Sequence, residues 1–384
     1  MMIIRFAWKN FIGSGLRAWL NVIIIAMVFF VIVLLQGLYN GFQRQVERAR
    51  ILDETGRAQL WYKDFDPLDP LSFDENIGVI NVDEKEFGGT PIFYSQATIY
   101  PNLRIRPVIV KGISPRQKVL GFPSISLDTK SQYIAAIVGE RMAKTLQLDQ
   151  GDVFVMRWRT RDGAVDAREI QIVDVFRTDA PGIDNGQIWL SIDEMRDLWN
   201  APGYASIYVF AKPLEMNPPT HWSFQTEAEL LSDTRKMMDA ERGSARVLYF
   251  ILILVAMISL FDTQVLSIFR RRKEVGLLMA MGLSQMQVLT LFVCEGLMQG
   301  LIAIMIVLVL GMPFFNWLEA NGIHFMDMDQ FGLAGSSTIF PYFSFGQLAF
   351  SSAVFLFLSI LISYYPARKI ARLQPSTALR GVWL

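Results

Sequence analysis

Apolar and polar positions along this 384-residue chain are segregated into long blocks. Four apolar runs are almost free of charge: Ala18 to Leu38, Val247 to Phe269, Val288 to Phe315 and Leu348 to Tyr365. Each has the length at which a helix rising ~1.5 Å per residue crosses a hydrocarbon layer of ~30 Å. The pattern therefore predicts four transmembrane helices. Ahead of the first, residues 1–16 mix Ile3, Ile4, Phe6, Trp8 and Phe11 with Arg5 and Lys9. This stretch predicts an interfacial helix, separated from the span by Gly13-Ser14-Gly15. The first run is longer than the apolar region of a signal peptide and no small-residue cleavage site follows it, so an uncleaved span is expected.

From Asn40 to about Ala245 the grain becomes finer, with frequent charges, Pro and Gly at turns, and short apolar runs. Roughly 200 residues of this kind predict one extramembranous domain able to bury its own core. Strands are expected at Pro107–Gly112, Asp152–Arg157, Ile170–Phe176 and Ser206–Phe210, and helices at Gly139–Leu148 and Ile192–Trp199. Asp64 to Asp74 and Lys212 to Pro219 read as irregular surface loops. The predicted organisation is an N-terminal segment and first span (1–39), a mixed α/β domain (40–245), and three further spans with their connections (246–384).

Charge then orients the spans. Arg5, Lys9 and Arg17, the run Arg270 to Lys273, and Arg368, Lys369, Arg372 and Arg380 all fall on one side. The connection from Asn316 to Ser344 carries Glu319, Asp327 and Asp329 and no Lys or Arg. Both termini and the basic turn are thereby expected in the cytoplasm, with the large domain outside. Overall the chain balances 36 Lys plus Arg against 36 Asp plus Glu, which gives no support for a nucleic-acid partner. One cysteine, Cys294, leaves no disulfide framework within the chain.

The basic turn, RRRKEVGLLMAMGLSQMQV from Arg270 to Val288, is also amphipathic. Leu277, Leu278 and Met281 recur at helical spacing, as in a short surface helix that a cytoplasmic partner grips; an ordinary basic loop obeying the positive-inside rule would carry the same charges. Catalytic motifs are absent. His221 and His324 have no neighbouring second ligand, so no metal site is expected. Neither G-x-x-x-x-G-K-[ST] nor G-x-S-x-G occurs, so no catalytic residues are assigned, and energy for any work must come from a partner or an ion gradient. Asp262 and Glu295 lie about seven residues, roughly 10 Å, inside the second and third spans. A carboxyl at such depth is either functional or held inside the bundle by packing and hydrogen bonds. The consecutive polar residues Asp262, Thr263 and Gln264 suggest a stripe facing a lumen or a second copy. Gly296 and Gly300 form a GxxxG that permits close helix contact.

Three segments resemble one family. FDTQVLSIFRRRKEVGLLMAMGLSQMQVLTLFVCEG (Phe261 to Gly296) is similar to the second span, coupling helix and third span of the MacB/LolC/FtsX permeases of ABC transporters. YYPARKIARLQPSTALRG (Tyr364 to Gly381) resembles their closing segment, with Pro366, Ala367, Pro375, Ala378, Leu379 and Arg380 in place. IVGERMAKTLQLDQGDVFVM (Ile137 to Met156) resembles a helix and Gly-Asp turn of their outer domain. The resemblance implies a non-catalytic subunit of a bacterial inner-membrane transporter, with a coupling segment at 270–287 docking on a separate cytoplasmic ATPase through Glu274, Leu277, Leu278, Met281, Gly282 and Leu283. It implies that this ATPase binds the ATP and Mg, that this chain holds no cofactor, and that a second permease copy or a paralogue completes the complex. Motion, and not substrate, would cross the membrane.

Tyr39-Asn40-Gly41-Phe42 and Phe261-Asp262 look like the N-G-F and Phe-Asn patterns of the lipoprotein-releasing branch, LolC and LolE, although Asp262 stands where Asn is expected. That branch implies an acyl cavity lined by Leu35, Leu38, Phe42, Phe250, Leu254 and Asp262, a lipid-anchored substrate drawn from the membrane, and a periplasmic lipoprotein carrier. The other branches imply MacB-like export of a peptide, drug or other amphipathic substrate, or FtsX-like regulation of an outer partner.

Overall fold

The computed structural model of the protein describes residues 16–73, 75–80, 88–129, 132–178, 183–213, 218–270, 272–324 and 338–371. The expected interfacial helix at the N-terminus, Asp327 and Asp329, and Arg372, Pro375, Ala378, Leu379 and Arg380 lie outside these residues. The described residues form two compact units. One holds those up to Phe42, from Asp239 to Ile323 and from Ile339 onward; the other holds Gln43–Met238 with His324 and Thr338.

Helix α1 (Leu16–Arg50) has 35 residues, or about 52 Å, so only part of it fits within the hydrocarbon. The expected span ended at Leu38, where polar residues begin, yet Gln43, Arg44, Gln45, Glu47 and Arg48 are good helix formers and carry the helix onward. A π-helical turn, Ile51–Thr55, follows. Among the described residues, four helices are long and apolar enough to cross a membrane. After α1 these are α5 (Ser232–Arg270), α7 (Gln285–Ile306) with its extension, and α9 (Phe345–Ala371). The extension of α7 is a second π-helical turn, Val307–Gly311, leading into α8 (Met312–Asn321). Pro313 supplies the reason for the turn: its ring cannot accept a regular carbonyl four residues earlier, and local widening of the helix relieves that clash.

The second unit is built on a nine-stranded sheet. Its strands are β1 (Ala58–Tyr62), β2 (Thr90–Tyr100), β3 (Arg106–Ile113), β4 (Ile134–Gly139), β5 (Val153–Arg159), β6 (Val165–Phe176), β7 (Gln187–Ser191), β8 (Ile207–Phe210) and β9 (Trp222–Thr226). Short helices α2 (Glu140–Leu146) and α3 (Ile192–Leu198) follow β4 and β7, and α4 (Glu227–Leu230) follows β9. Six strands form a closed circuit: β2 pairs with β3, then β7, β4, β6 and β5 follow, and β5 pairs again with β2. Closure depends on the length of β2. Its Ile92–Ile99 stretch pairs with β3, Ala97–Tyr100 with β5, and Thr90–Ile92 with β8, from which β1 and β9 extend.

Alternate residues of all six circuit strands meet in one core, including Phe93, Val110, Val138, Met156, Ile172 and Leu190. Helices α2 and α3 add Met142, Leu146, Met195 and Trp199 to it. The opposite faces of β2, β4 and β7 build a second core from Tyr94, Ile137 and Trp189, covered by Phe65, Phe73, Leu120 and Phe122. The region read as an irregular loop at Asp64 to Asp74 is thus a cover whose two phenylalanines are buried.

One cation is enclosed in this second core. Lys111 on β3 is 1 % exposed, sits 4.8 Å from the Tyr94 ring and 4.9 Å from the Trp189 ring, and reaches Glu54 at 3.5 Å. Burial pushes the Tyr94 hydroxyl pKa up, against the lowering pull of Lys111. Glu54 belongs to the turn that ends α1, and it also pairs with Arg50 at 3.1 Å. Removing one partner of a buried pair strands the other charge. Glu54→Gln should therefore destabilise this unit by ~3 kcal/mol, whereas Glu54→Gln with Lys111→Met should recover most of that loss. Tryptophan-fluorescence unfolding of the detergent-solubilised chain reads both.

Candidate functional site: the surface helix and the bundle core

The basic turn is ordered as α6, Arg272–Ala280. It is shorter than the 270–287 segment expected from the sequence. Gly282 ends it at a φ of +101°, a conformation that L side chains rarely adopt, and Ser284 starts α7 with a capping box closed by Gln287. One face of α6 is fixed: Val275 is buried with Val288 and Phe292 of α7 and Ala367 of α9, and Met279 and Leu283 pack against that cluster.

The other face is bare. Leu277 is 55 % exposed and Met281 64 % exposed, and Glu274 and Gly282 are exposed with them. The Leu278 side chain lies outside the described ones. Leu283 separates from the rest of the expected coupling set, since it is half-buried against the bundle. Met286, at the start of α7, adds a 70 % exposed side chain that sequence reading did not single out. Its signal was an apolar residue flanked by glutamines.

Inside the bundle, buried residues recur at helical spacing: Val22, Ile25, Ala26, Phe29 and Val33 on α1, and Phe355, Ser359, Ser363 and Ala367 on α9. Polar groups are threaded through this core. Asn21 of α1 donates to Gln299 of α7 at 3.1 Å and accepts from Ser259 of α5 at 2.7 Å. Three spans are thus tied by two bonds. Glu295, a turn away from Gln299, is 1 % exposed. The carboxylate of Asp262 lies on an exposed position, Thr263 donates back to the Ser259 carbonyl, and Gln264 is wholly buried. The three therefore do not form the single stripe suggested by their adjacency, because consecutive helical residues point about 100° apart.

Gly296 and Gly300 set the approach of α7 to α9. A Cβ at Gly296 would lie 1.8 Å from the Ser363 hydroxyl oxygen, and one at Gly300 would lie 3.1 Å from that of Ser359. Both amide atoms of Gln264 and the Ser363 hydroxyl are buried without a hydrogen-bond partner among the described residues.

The residues expected to line an acyl cavity separate by exposure. Leu35, Leu38 and Phe42 on α1 are half-buried, while Phe250 and Leu254 on α5 are 64 % and 44 % exposed. Val247, Leu248, Ile251, Val255 and Ile258 are exposed beside them, so α5 carries a broad uncovered apolar surface. Asn40 and Gly41 make contacts within the bundle: Asn40 donates to Gln347 of α9, and a Cβ on Gly41 would meet the Phe340 carbonyl at 2.0 Å. No group of three metal-ligating side chains occurs among the described residues.

Comparison with known proteins finds relatives of this arrangement. Residues 246–375, from α5 into the segment after α9, match the FtsX-like permease C-terminal domain. Across nearly the whole chain, the lipoprotein-releasing system transmembrane protein LolC of Xylella fastidiosa is 22% identical over 93% of this chain and 92% of its own. LolC of Neisseria meningitidis is 21% identical with the same coverage. An uncharacterized ABC transporter permease of Methanocaldococcus jannaschii is 34% identical over 34% of this chain and 30% of its own. The extracellular domain of the noncanonic ABC-type transporter YknZ, from Gram-positive bacteria, aligns with 48% of this chain and 94% of its own at 13% identity and a TM-score of 0.23.

The close α7–α9 approach gives a direct test. Gly296→Ala should lower stability by ~1–3 kcal/mol, the usual range for overpacking, and Gly300→Ala by less. Adding Ser363→Ala to Gly296→Ala should restore much of the loss. Thermal unfolding in detergent checks the order of the three. The four spans, the match to the permease domain over residues 246–375 and the LolC likeness over 93% of the chain together support an ABC transporter permease of the LolC/FtsX/MacB type.

Proposed function

We propose that this permease releases lipid-anchored proteins from the bacterial inner membrane by mechanotransmission. A separate cytoplasmic ATPase would bind ATP and Mg, grip α6 on its bare Leu277–Met281 face, and move the spans. The observation that carries this reading is the LolC likeness, which extends over 93% of the chain and so includes the outer unit as well as the permease core. Both termini lie in the cytoplasm on this reading, as the distribution of basic residues requires. A second permease copy, or a paralogue, would complete the complex, and a periplasmic carrier would receive the product.

The chemistry of the chain is consistent with a mechanical role. A lipidated substrate needs no bond made or broken, only work against the free energy of burying its acyl chains, ~0.8 kcal/mol per CH₂. Continuous helices supply the means: α1 runs unbroken over 35 residues and α5 over 39.

Reconstituted in nanodiscs with its cognate ATPase, the chain should raise ATP hydrolysis on addition of a triacylated lipoprotein and not of the same protein without lipid. Release into solution should require a carrier. Indifference to the acyl chains would overturn lipoprotein release in favour of another substrate or an outer regulatory partner. Met281→Asp and Leu277→Asp, both on exposed positions, should abolish co-purification of the ATPase while leaving membrane insertion intact. Normal ATPase stoichiometry in either variant would refute the docking face.

A further inference from the structure

A cavity of about 360 Å³ opens between α1, α5 and α9 inside the bundle unit. Its lining includes Tyr39 and Gln36 from α1, Arg242, Arg246 and Tyr249 from α5, and Gln347 from α9. We infer that this cavity binds the phosphodiester headgroup of an anionic membrane lipid.

Charge is the first argument. Among the described residues, two guanidinium groups line the cavity and no carboxylate does. Arg242 is already oriented, with Asp239 at 3.1 Å and the Tyr39 ring at 5.3 Å. Arg246 makes no ion pair or hydrogen bond among the described residues, and neither does the Tyr249 hydroxyl. The cavity therefore presents unused donors of the kind that match phosphate oxygens: a forked guanidinium and a phenol.

Depth is the second argument. The apolar run of α1 ends at Leu38, that of α5 begins at Val247 and that of α9 begins at Leu348. Tyr39, Arg242, Arg246 and Gln347 thus flank the three apolar runs at the same end, with Gln36 in the last turn of the first. That is the level of lipid headgroups, where tyrosine and arginine are at home. The third argument is what adjoins the cavity. Phe350, itself part of the lining, is 71 % exposed, and Val247, Phe250, Ile251 and Leu254 continue an exposed apolar surface along α5. A free phosphate has no use for that surface, whereas the acyl chains of a lipid have.

The floor is rigid. Gln347 donates to Gln36 at 2.9 Å, Ser351 donates to the same Gln36 oxygen at 3.0 Å, and Asn40 donates to Gln347. These bonds join α1 to α9, so a lipid seated above them would bring α5 into contact with both through the two arginines. The site lies within a single chain and does not depend on what the transporter releases.

The full-length chain, reconstituted in nanodiscs that mix phosphatidylglycerol with phosphatidylcholine, is released into detergent and its retained lipids are counted by native mass spectrometry. Phosphatidylglycerol should be retained in preference. Arg246→Ala should cut that retention about tenfold, the loss of one charge-assisted contact, and Arg242→Ala with Arg246→Ala should cut it further. Arg246→Lys should fall between wild type and Arg246→Ala, and Arg368→Ala, at the other end of α9, should leave it unchanged. Unchanged thermal stability separates loss of binding from misfolding. Equal retention of the two lipids, wild-type retention in the double variant, or displacement of the lipid by inorganic phosphate alone would each overturn the assignment.

Discussion

The outer unit depends on one buried charge. Lys111 is enclosed by Tyr94 and Trp189 in the second core, where an unpaired ammonium would cost several kcal/mol. Its counter-charge, Glu54, does not come from the sheet. It comes from the π-helical turn at the end of α1, and that turn is held at three further points: the Leu52 carbonyl accepts from the Gly121 amide at 2.8 Å, Asp53 accepts from the Thr178 hydroxyl, and the Thr55 carbonyl accepts from Gln59 at 2.9 Å. The first helix therefore cannot slide or rotate against the sheet without stranding an ion. Two contacts extend the same constraint to the second long helix: Glu47 pairs with Arg235 at 3.4 Å and Arg50 donates to Thr234. Both helices are thus clamped within the outer unit, at the stretch where neither lies in hydrocarbon.

The bundle obeys a different economy. Hydrocarbon supplies no hydrophobic drive between helices, so close packing and interhelical hydrogen bonds must hold them. α7 and α9 use packing, through Gly296 and Gly300 against Ser363 and Ser359. α1 and α7 use hydrogen bonding, through Asn21 and Gln299, with Ser259 of α5 attached to the same amide. Among the described residues of its apolar span, α5 buries only Ala256, Met257, Leu260 and Gln264. With α9 it is one of the two spans least covered in a single chain, as expected where lipid or a second subunit supplies the missing neighbours.

Much of this layout was legible in the sequence, because hydrocarbon imposes a long-range rule that hydropathy reads directly. The four spans, the turn at Arg270 and the alternation at Pro107–Gly112 and Ile170–Phe176 all followed from local pattern. β1, β2, β4, β7 and β9 did not. β4 is Ile134–Gly139, buried on both faces, so its apolar run has no alternation to read. β2 contains Pro91, Ser95, Gln96 and Thr98, and its length makes sense only once β3, β5 and β8 are all seen to pair with it. At the surface helix, Leu277 and Met281 were readable from a four-residue spacing. The partner of Gly296 was not, since Ser363 lies on another span and nothing local marks either residue as half of a contact. Nothing local marks Lys111 and Glu54 as a pair either, until the fold buries one and brings the other to it.

These contacts determine how a push on α6 would be shared if an ATPase grips it. α6 is fixed to α7 and α9 by Val275, Val288, Phe292 and Ala367. Because Gly296 leaves no room for relative sliding against Ser363, α7 and α9 must respond as a pair. α1 is bound to that pair by one hydrogen bond from Asn21 and by the Gln36–Gln347 and Gln36–Ser351 bonds, and so follows it closely. α5 is held through Ser259 to Asn21, through Ala256, Met257 and Leu260 in the shared core, and by Phe261 against Tyr365 of α9. The far ends of α1 and α5 are clamped together through Glu47, Arg50, Thr234 and Arg235. Sliding of these two helix ends past one another would therefore break the Glu47–Arg235 pair and the Arg50–Thr234 bond together.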